Sequence, residues 1–317
     1  LFFGIRIAYS SNKTEMCLMN NIKQKKFELI SNESHGASEN PITSLKDVDK
    51  LEKKIGRSKE TIIARAAIYF NLKDYEKAKY YFRLAAKKSY NTTILSCLLK
   101  LHSKLDTIEE TEQYFQEAQS ELSEDPVFWQ LWGYVLLELK KNADASEKFL
   151  NAKYYKFPDK KLNFEFLLKA LNNSDQDDKV IEIAEESISN GYKDITILEC
   201  YVAALIAKEK FRVAYDLFNS NDIDWSGSAR LNAFYAICVN VLFQDNEKAI
   251  FFNEKACRLD PDNIQIRWNL ALVQLRSGRI KEGIENYKVR FQWEKFPSPR
   301  RTFEVPKWRE DIDKSSK

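Results

Sequence analysis

Glycine and proline are scarce: 8 and 7 among 317 residues. A chain with so few turn-formers reads as long helices joined by tight turns. Charge of one sign is also lacking. Fifty basic and 47 acidic residues leave a formal +3, which makes no general case for nucleic acid or an anionic membrane as partner. Histidine is nearly absent, and His35 and His102 lie far apart. No CxxC and no Cys/His cluster occurs, so no structural metal site is expected. The five cysteines (Cys17, Cys97, Cys200, Cys238 and Cys257) are odd in number and widely spaced. They read as buried free thiols in a reducing compartment rather than as disulfides.

Catalytic signatures are missing too. The sequence has no GxGxxG, no phosphate-binding Gly-Lys-Ser/Thr loop, no GxSxG and no HExxH. The carboxylate pairs Glu109/Glu110 and Glu185/Glu186 read as solvated helix faces, and His102 has no evident acid or nucleophile beside it. No residue is assigned a catalytic role, no cofactor is expected, and the chain is read as non-enzymatic unless it is a fragment of a longer protein. Long apolar runs are absent. Leu1–Ala8 is interrupted by Arg6 and too short to span a bilayer. It reads as the remnant of an anchor or signal segment, or as an ordered strand or helix. A cytoplasmic location is expected, or a periplasmic or membrane-associated one if residues 1–8 derive from an anchor.

What the chain does have is apolar material, 44% hydrophobic and rich in aromatics, in a recurring pattern. In Asp74–Ala85 a small residue (Ala78) is followed four positions later by Phe82 and seven later by Ala85. Ala145, Phe149 and Ala152 repeat it, Ala214 and Phe218 repeat its first half, and Ala249 with Ala256 its outer pair. On a helix these spacings share one face. A frame opened at Lys59 restarts near Thr92, Pro126, Lys161, Ile195, Arg230 and Ile264. Its separations are 33, 34, 35, 34, 35 and 34 residues. Small residues at frame positions 8, 20 and 27 let two helices lie close, and aromatics fill the remainder. One pair cannot bury its second face, so such units stabilise one another by stacking.

This pattern resembles the tetratricopeptide repeat, two antiparallel helices in 34 residues with a Trp/Leu-Gly-Tyr pattern in the first and Ala-Phe-Ala in the second. The third unit carries it best, with Trp129, Trp132, Gly133, Ala145, Phe149, Ala152 and Pro158. The first offers Ala66, Tyr69, Tyr75, Ala78, Phe82 and Ala85. The seventh reads Leu270-Ala271, Gly278, Ile280, Gly283 and Tyr287. The second (Thr111, Phe115, Ala118) and fourth (Phe164, Leu168, Val180, Ala184) rest partly on the frame. The resemblance implies an all-α fold, a right-handed superhelix (α-solenoid) of about seven helix-turn-helix repeats. The expected organisation is an N-terminal extension and polar linker (1–43), a capping helix or half repeat (44–58), the repeats (59–292), and a Pro/aromatic tail (293–317).

In that family the first helix of each pair lines the concave face through frame positions 2, 5, 9, 12 and 13. The implied partner-binding groove here includes Lys100, Lys104, Gln130, Tyr134, Glu165, Lys169, Asn172 and Asn173. This is a polar, mixed-charge lining suited to an extended peptide, although any one of these residues is equally at home as a solvated position. The groove positions of the last two repeats are apolar: Phe234, Val241 and Leu242, then Trp268, Leu272 and Leu275. They form a candidate docking end. Its expected occupant is the chain's own tail, through Phe296, Phe303, Val305 and Trp308, or a partner protein, or a second copy.

Three functions are compatible with these features. The preferred one is a protein–protein interaction scaffold binding a peptide segment or partner subunit. The second follows from a narrower resemblance, carried by Trp268, Tyr287, Arg290-Phe291 and Pro306-Lys-Trp308, to the junction where bacterial repeat arrays precede a glycosyltransferase-like domain. It implies a recognition arm whose catalytic part is missing or separate. The third uses Lys288–Arg309, seven basic and two acidic residues among aromatics, to hold RNA or single-stranded DNA. The plainer reading of that segment is a tail packed on the protein itself.

Overall fold

A computed structural model describes residues 44–105, 107–220 and 224–292. The expected N-terminal extension, with Cys17 and His35, and the tail from 293 onward lie outside these residues. Fifteen α-helices and a closing 3-10 turn make up the described chain, with no strand among them.

Helix α1 (Leu45–Ile55) begins at Ser44, whose hydroxyl accepts from the Asp47 amide while Asp47 accepts in return. Seven times thereafter a helix is followed, after a short turn, by a second. The pairs are α2 (Lys59–Asn71) and α3 (Tyr75–Ala86), α4 (Thr92–Leu105) and α5 (Ile108–Leu122), and α6 (Pro126–Glu138) and α7 (Asn142–Tyr154). Next come α8 (Lys160–Asn173) and α9 (Asp177–Ser189), and α10 (Ile195–Ala207) and α11 (Phe211–Phe218). The last are α12 (Ala229–Phe243) and α13 (Asn246–Leu259), and α14 (Ile264–Arg276) and α15 (Ile280–Tyr287). Lys288–Gln292 forms the 3-10 turn.

Two turn chemistries alternate, and each has a local cause. Every first helix starts behind an oxygen-bearing side chain that accepts a first-turn amide: Ser58, Asn91, Asp125, Asp159, Asp194, Ser228 and Asn263. Between the helices of a pair, the fifteenth frame position is left-handed. Lys73, Lys140, Asp175, Glu209, Gln244 and Gly278 occupy it, with φ between 54° and 84°. The next amide then reaches five residues back, as in Lys141 to the Leu136 carbonyl (2.8 Å) and Arg279 to the Gln274 carbonyl (2.9 Å). That bond closes the helix end. Only the last of these six residues is glycine, the type best suited to this conformation.

The chain divides into two compact units between Lys208 and Glu209. In the first, each helix packs on the next from α1 to α10, and the first helices α4, α6, α8 and α10 also touch in succession. Its core is made of Ala66, Phe82, Phe115, Phe128, Phe149, Leu167, Leu168 and Leu171, all essentially inaccessible. Gly133 is there because Phe149 is: a β-carbon on Gly133 would lie 2.6–2.8 Å from the Phe149 ring. Charged pairs tie neighbouring repeats, including Lys79 with Glu110, Lys141 with Glu112 (2.7 Å), Lys153 with Glu186 (2.5 Å) and Lys208 with Asp178 (2.9 Å). Glu110 and Glu186 are therefore engaged between repeats, and Glu185 accepts from Tyr201 (2.9 Å).

In the second unit α11 has only eight residues. Trp225, in the connection that follows, sits against Phe218 (ring centroids 4.9 Å) and Tyr235 (5.1 Å), and its indole N–H donates to the Phe218 carbonyl. The indole supplies apolar bulk beside the short helix. Tyr235 and Phe252 (4.6 Å) continue the aromatic cluster. Cys97, Cys200 and Cys238 are buried free thiols and Cys257 is half-buried. Burial pushes Cys97 and Cys238 up to about 12, so neither is a thiolate at neutral pH.

Candidate functional site

The expected groove residues fall on α4, α6 and α8, which lie side by side in the first unit. Helix packing encloses several of them. Lys100, Gln130, Lys169 and Asn172 are buried, Tyr134 and Glu165 are half-buried, and Lys104 and Asn173 are exposed. Burying charged and amide groups is costly without partners, and the structure supplies several.

Gln130 accepts from the Asn163 side chain (2.8 Å), which also donates to the Phe149 carbonyl (3.0 Å). Asn163 thus stitches the third repeat to the fourth. Tyr134 donates to Glu138 (2.8 Å) and meets the edge of the Phe166 ring (5.7 Å). Lys169 lies over the same ring at 5.4 Å, a cation–π arrangement. Phe166 thereby joins two of the expected groove residues from successive repeats. Lys161 approaches Glu165 (3.6 Å) and Asp194 (2.9 Å), carrying the row toward α10.

The electrostatics follow from burial. Desolvation raises the Glu165 pKa, with Asp194 adding to the rise and Lys161 opposing it. Burial also pushes Asp194 upward, but the Thr196 amide and Lys161 outweigh it, and its pKa ends lowered. The two carboxyls beside Lys161 are thus shifted in opposite directions. The arrangement offers donors, acceptors and one aromatic face along successive helices. No pair of groups in it is placed as nucleophile and base.

Sequence reasoning passed over Asn163, Phe166 and Lys161. Asn163 and Phe166 each sit one position off the usual groove register, and a signal lay in their type: an Asn and a Phe flanking the groove positions of one helix. Lys104 and Asn173 are exposed beside this row, while Lys100 shares the face through the packing of α4 on α6.

The six apolar residues proposed for the C-terminal docking end are placed differently. Phe234 is completely enclosed and offers no surface. Trp268 stacks on Tyr287 (4.7 Å), and the Leu275 side chain lies where a β-carbon on Gly283 would meet it at 2.8 Å. Val241 and Leu242 are half-buried, and Leu272 alone of the six is exposed. Among the described residues no helix is long and apolar enough to cross a membrane, and no group of three or more His, Cys, Asp or Glu side chains is placed to hold a metal ion.

No protein-family model matches the sequence, and no curated protein matches it. Solved structures do. A chain of the APC/C hetero-tetramer Cut9–Hcn1 superposes with a TM-score of 0.50 at 13% identity, over 77% of this chain and 48% of that one. PilF of Pseudomonas aeruginosa gives 0.48 at 18% identity, over 66% and 95%. YrrB, described as a tetratricopeptide repeat protein with an unusual peptide-binding site, gives 0.48 at 15%, over 63% and 98%. At these identities the likeness speaks to fold alone. With capped first helices, left-handed turns at a constant register and small-to-aromatic packing between paired helices, the fold is that of the tetratricopeptide repeat, an all-α solenoid.

Proposed function

We propose that this protein is an interaction scaffold and that the face formed by α4, α6 and α8 holds an extended peptide segment of a partner protein. The observation that carries the reading is the row Gln130, Tyr134, Phe166 and Lys169. Polar and charged groups are drawn there into a well-packed helical face around one ring, at the junction of two repeats. A face needed only for stability would be more stable with apolar residues of the same volume. An extended strand has unpaired amides and carbonyls on both sides, which the Gln and Asn amides, the Tyr134 hydroxyl and the lysine ammonium groups match. In this reading residues 44–58 cap an array spanning 59–292, and the protein does no chemistry of its own.

The test starts from a library of random extended peptides selected on the full chain. Selected peptides should lose at least about tenfold in affinity on Tyr134→Ala or Lys169→Glu, roughly 1.4 kcal/mol. Lys87→Glu, on the other side of the array's first repeat, should leave binding unchanged. Selected peptides that bind all three variants as they bind the wild type would refute the site. The recognition-arm alternative rests partly on residues 303–308, outside the described chain. Its described part performs packing: Trp268 stacks on Tyr287, and Arg290 lies over Tyr287 and Phe291.

A further inference from the structure

The second helix of every repeat has one position that faces the repeat to come. It directly follows the small residue of the pattern, at frame position 21: Lys79, Glu112, Ser146, Ile181, Tyr215, Ile250 and Ile284. In the first six repeats this position is used. Lys79 and Glu112 pair with Glu110 and Lys141 of the following repeat, and Tyr215 stacks on Tyr235 of the following repeat (5.7 Å). Ser146, Ile181 and Ile250 are buried, with Ile181 at 8% and Ile250 at 2% exposure. In the last repeat the same register holds the same residue type, Ile284, at 54% exposure.

Its surroundings make this more than an array that simply stops. A terminal repeat that ends in solvent carries a polar outer face. Here that face carries exposed apolar residues. Ile280, the first residue of the last second helix, is exposed, whereas the apolar residues at the same place in the first, second and fifth repeats, Tyr75, Ile108 and Phe211, are half-buried. Phe291, on the 3-10 turn, is exposed as well. Ile280 and Ile284, four residues apart, share one face of α15, and Phe291 lies on the 3-10 turn that follows. The seam is built for a neighbour.

We propose that residues 293–308 of this same chain cover that seam. The covering segment starts two residues after Phe291, so it is tethered beside the face at an effective concentration no free partner matches. It carries the apolar material an uncovered seam calls for, in Trp293, Phe296, Phe303, Val305 and Trp308. Pro297, Pro299 and Pro306 keep it from forming the further helix pair that would extend the array. The contact lies on the outer face of the last repeat, not in its groove.

Limited trypsin digestion of the full chain at the Arg300–Arg301 pair tests this. Cleavage there should be slow in the wild type. It should rise at least about tenfold in the Ile280→Glu/Ile284→Glu variant and stay slow in Ile284→Val. Phe303→Asp/Trp308→Asp, which alters only the segment and leaves the repeats intact, should expose the pair to the same degree. The proposal is overturned if either double variant is cut at the wild-type rate. It is equally overturned if the wild type is a dimer that Ile280→Glu/Ile284→Glu converts to monomer, since a second copy would then own the seam.

Discussion

The third and sixth repeats solve one packing problem in opposite ways. In the third, frame position 8 is Gly133 and position 24 is Phe149, and the ring occupies the space a β-carbon would need. In the sixth, the same two positions are Ile237 and Asn253, both buried. The large residue has moved to the first helix and the smaller one to the second. The fourth repeat makes the same exchange with Leu168 and Ala184, both wholly buried. In these three repeats either helix can supply the large residue, whereas the second and fifth bury two large ones, Leu99 with Phe115 and Val202 with Phe218. A pattern written in residue types therefore fades where the volume changes sides, while the backbone does not.

The comparison breaks most forcefully at Gly133. Gly133→Leu should cost at least about 1–3 kcal/mol, the range for overpacking a closed core, and appear as a lowered urea midpoint with unchanged slope. Asn253 gives a smaller effect of opposite sign. Its amide donates to the Ala249 carbonyl of its own helix (3.0 Å), but its carbonyl oxygen is buried without a partner. Asn253→Val, larger by only about one methylene group, should raise stability by about 1 kcal/mol, because a buried unmet acceptor costs about 1–3 kcal/mol. A loss on this substitution, read from the same melts, would mean the oxygen has an acceptor role to which the protein is tuned. The smallest effect concerns what the two repeats share. Lys140 and Gln244 both hold the left-handed turn position, at φ 58° and 54°. Replacing either with Gly should gain about 0.5–1 kcal/mol, equally in both repeats.

Much of the architecture was readable from the amino acids. The spacing of Ala78, Phe82 and Ala85 and its echoes place the second helices, and the constant period places the turns. The caps at Ser58, Asn91, Asp125, Asp159, Asp194, Ser228 and Asn263 were equally present as letters. They are a stronger boundary signal than the faded motifs of the second and fourth repeats. The candidate site was less readable, for a physical reason. Register says which side of a helix a residue occupies, but exposure depends on how closely successive first helices approach. Phe234 holds a groove position and is sealed, while Lys104 and Asn173 hold groove positions and are open. Asn163 and Phe166 matter because of what the neighbouring repeat brings to them, Gln130 in one case and Tyr134 in the other. Ile284 looks like Ile181 and Ile250 in sequence, and only its position in the last described repeat distinguishes it.

The volume-exchange account is tested most directly by a double-mutant cycle between positions 133 and 149. Gly133→Leu and Phe149→Ala import into the third repeat the pair that the fourth already uses. Each alone should destabilise, the first by overpacking and the second by a cavity costing about 3–5 kcal/mol. Together, in urea-melt stability, they should recover most of the loss, with a coupling of at least about 2 kcal/mol. Additive losses in the double variant would contradict the account, because they would show that glycine and phenylalanine are each required where they stand.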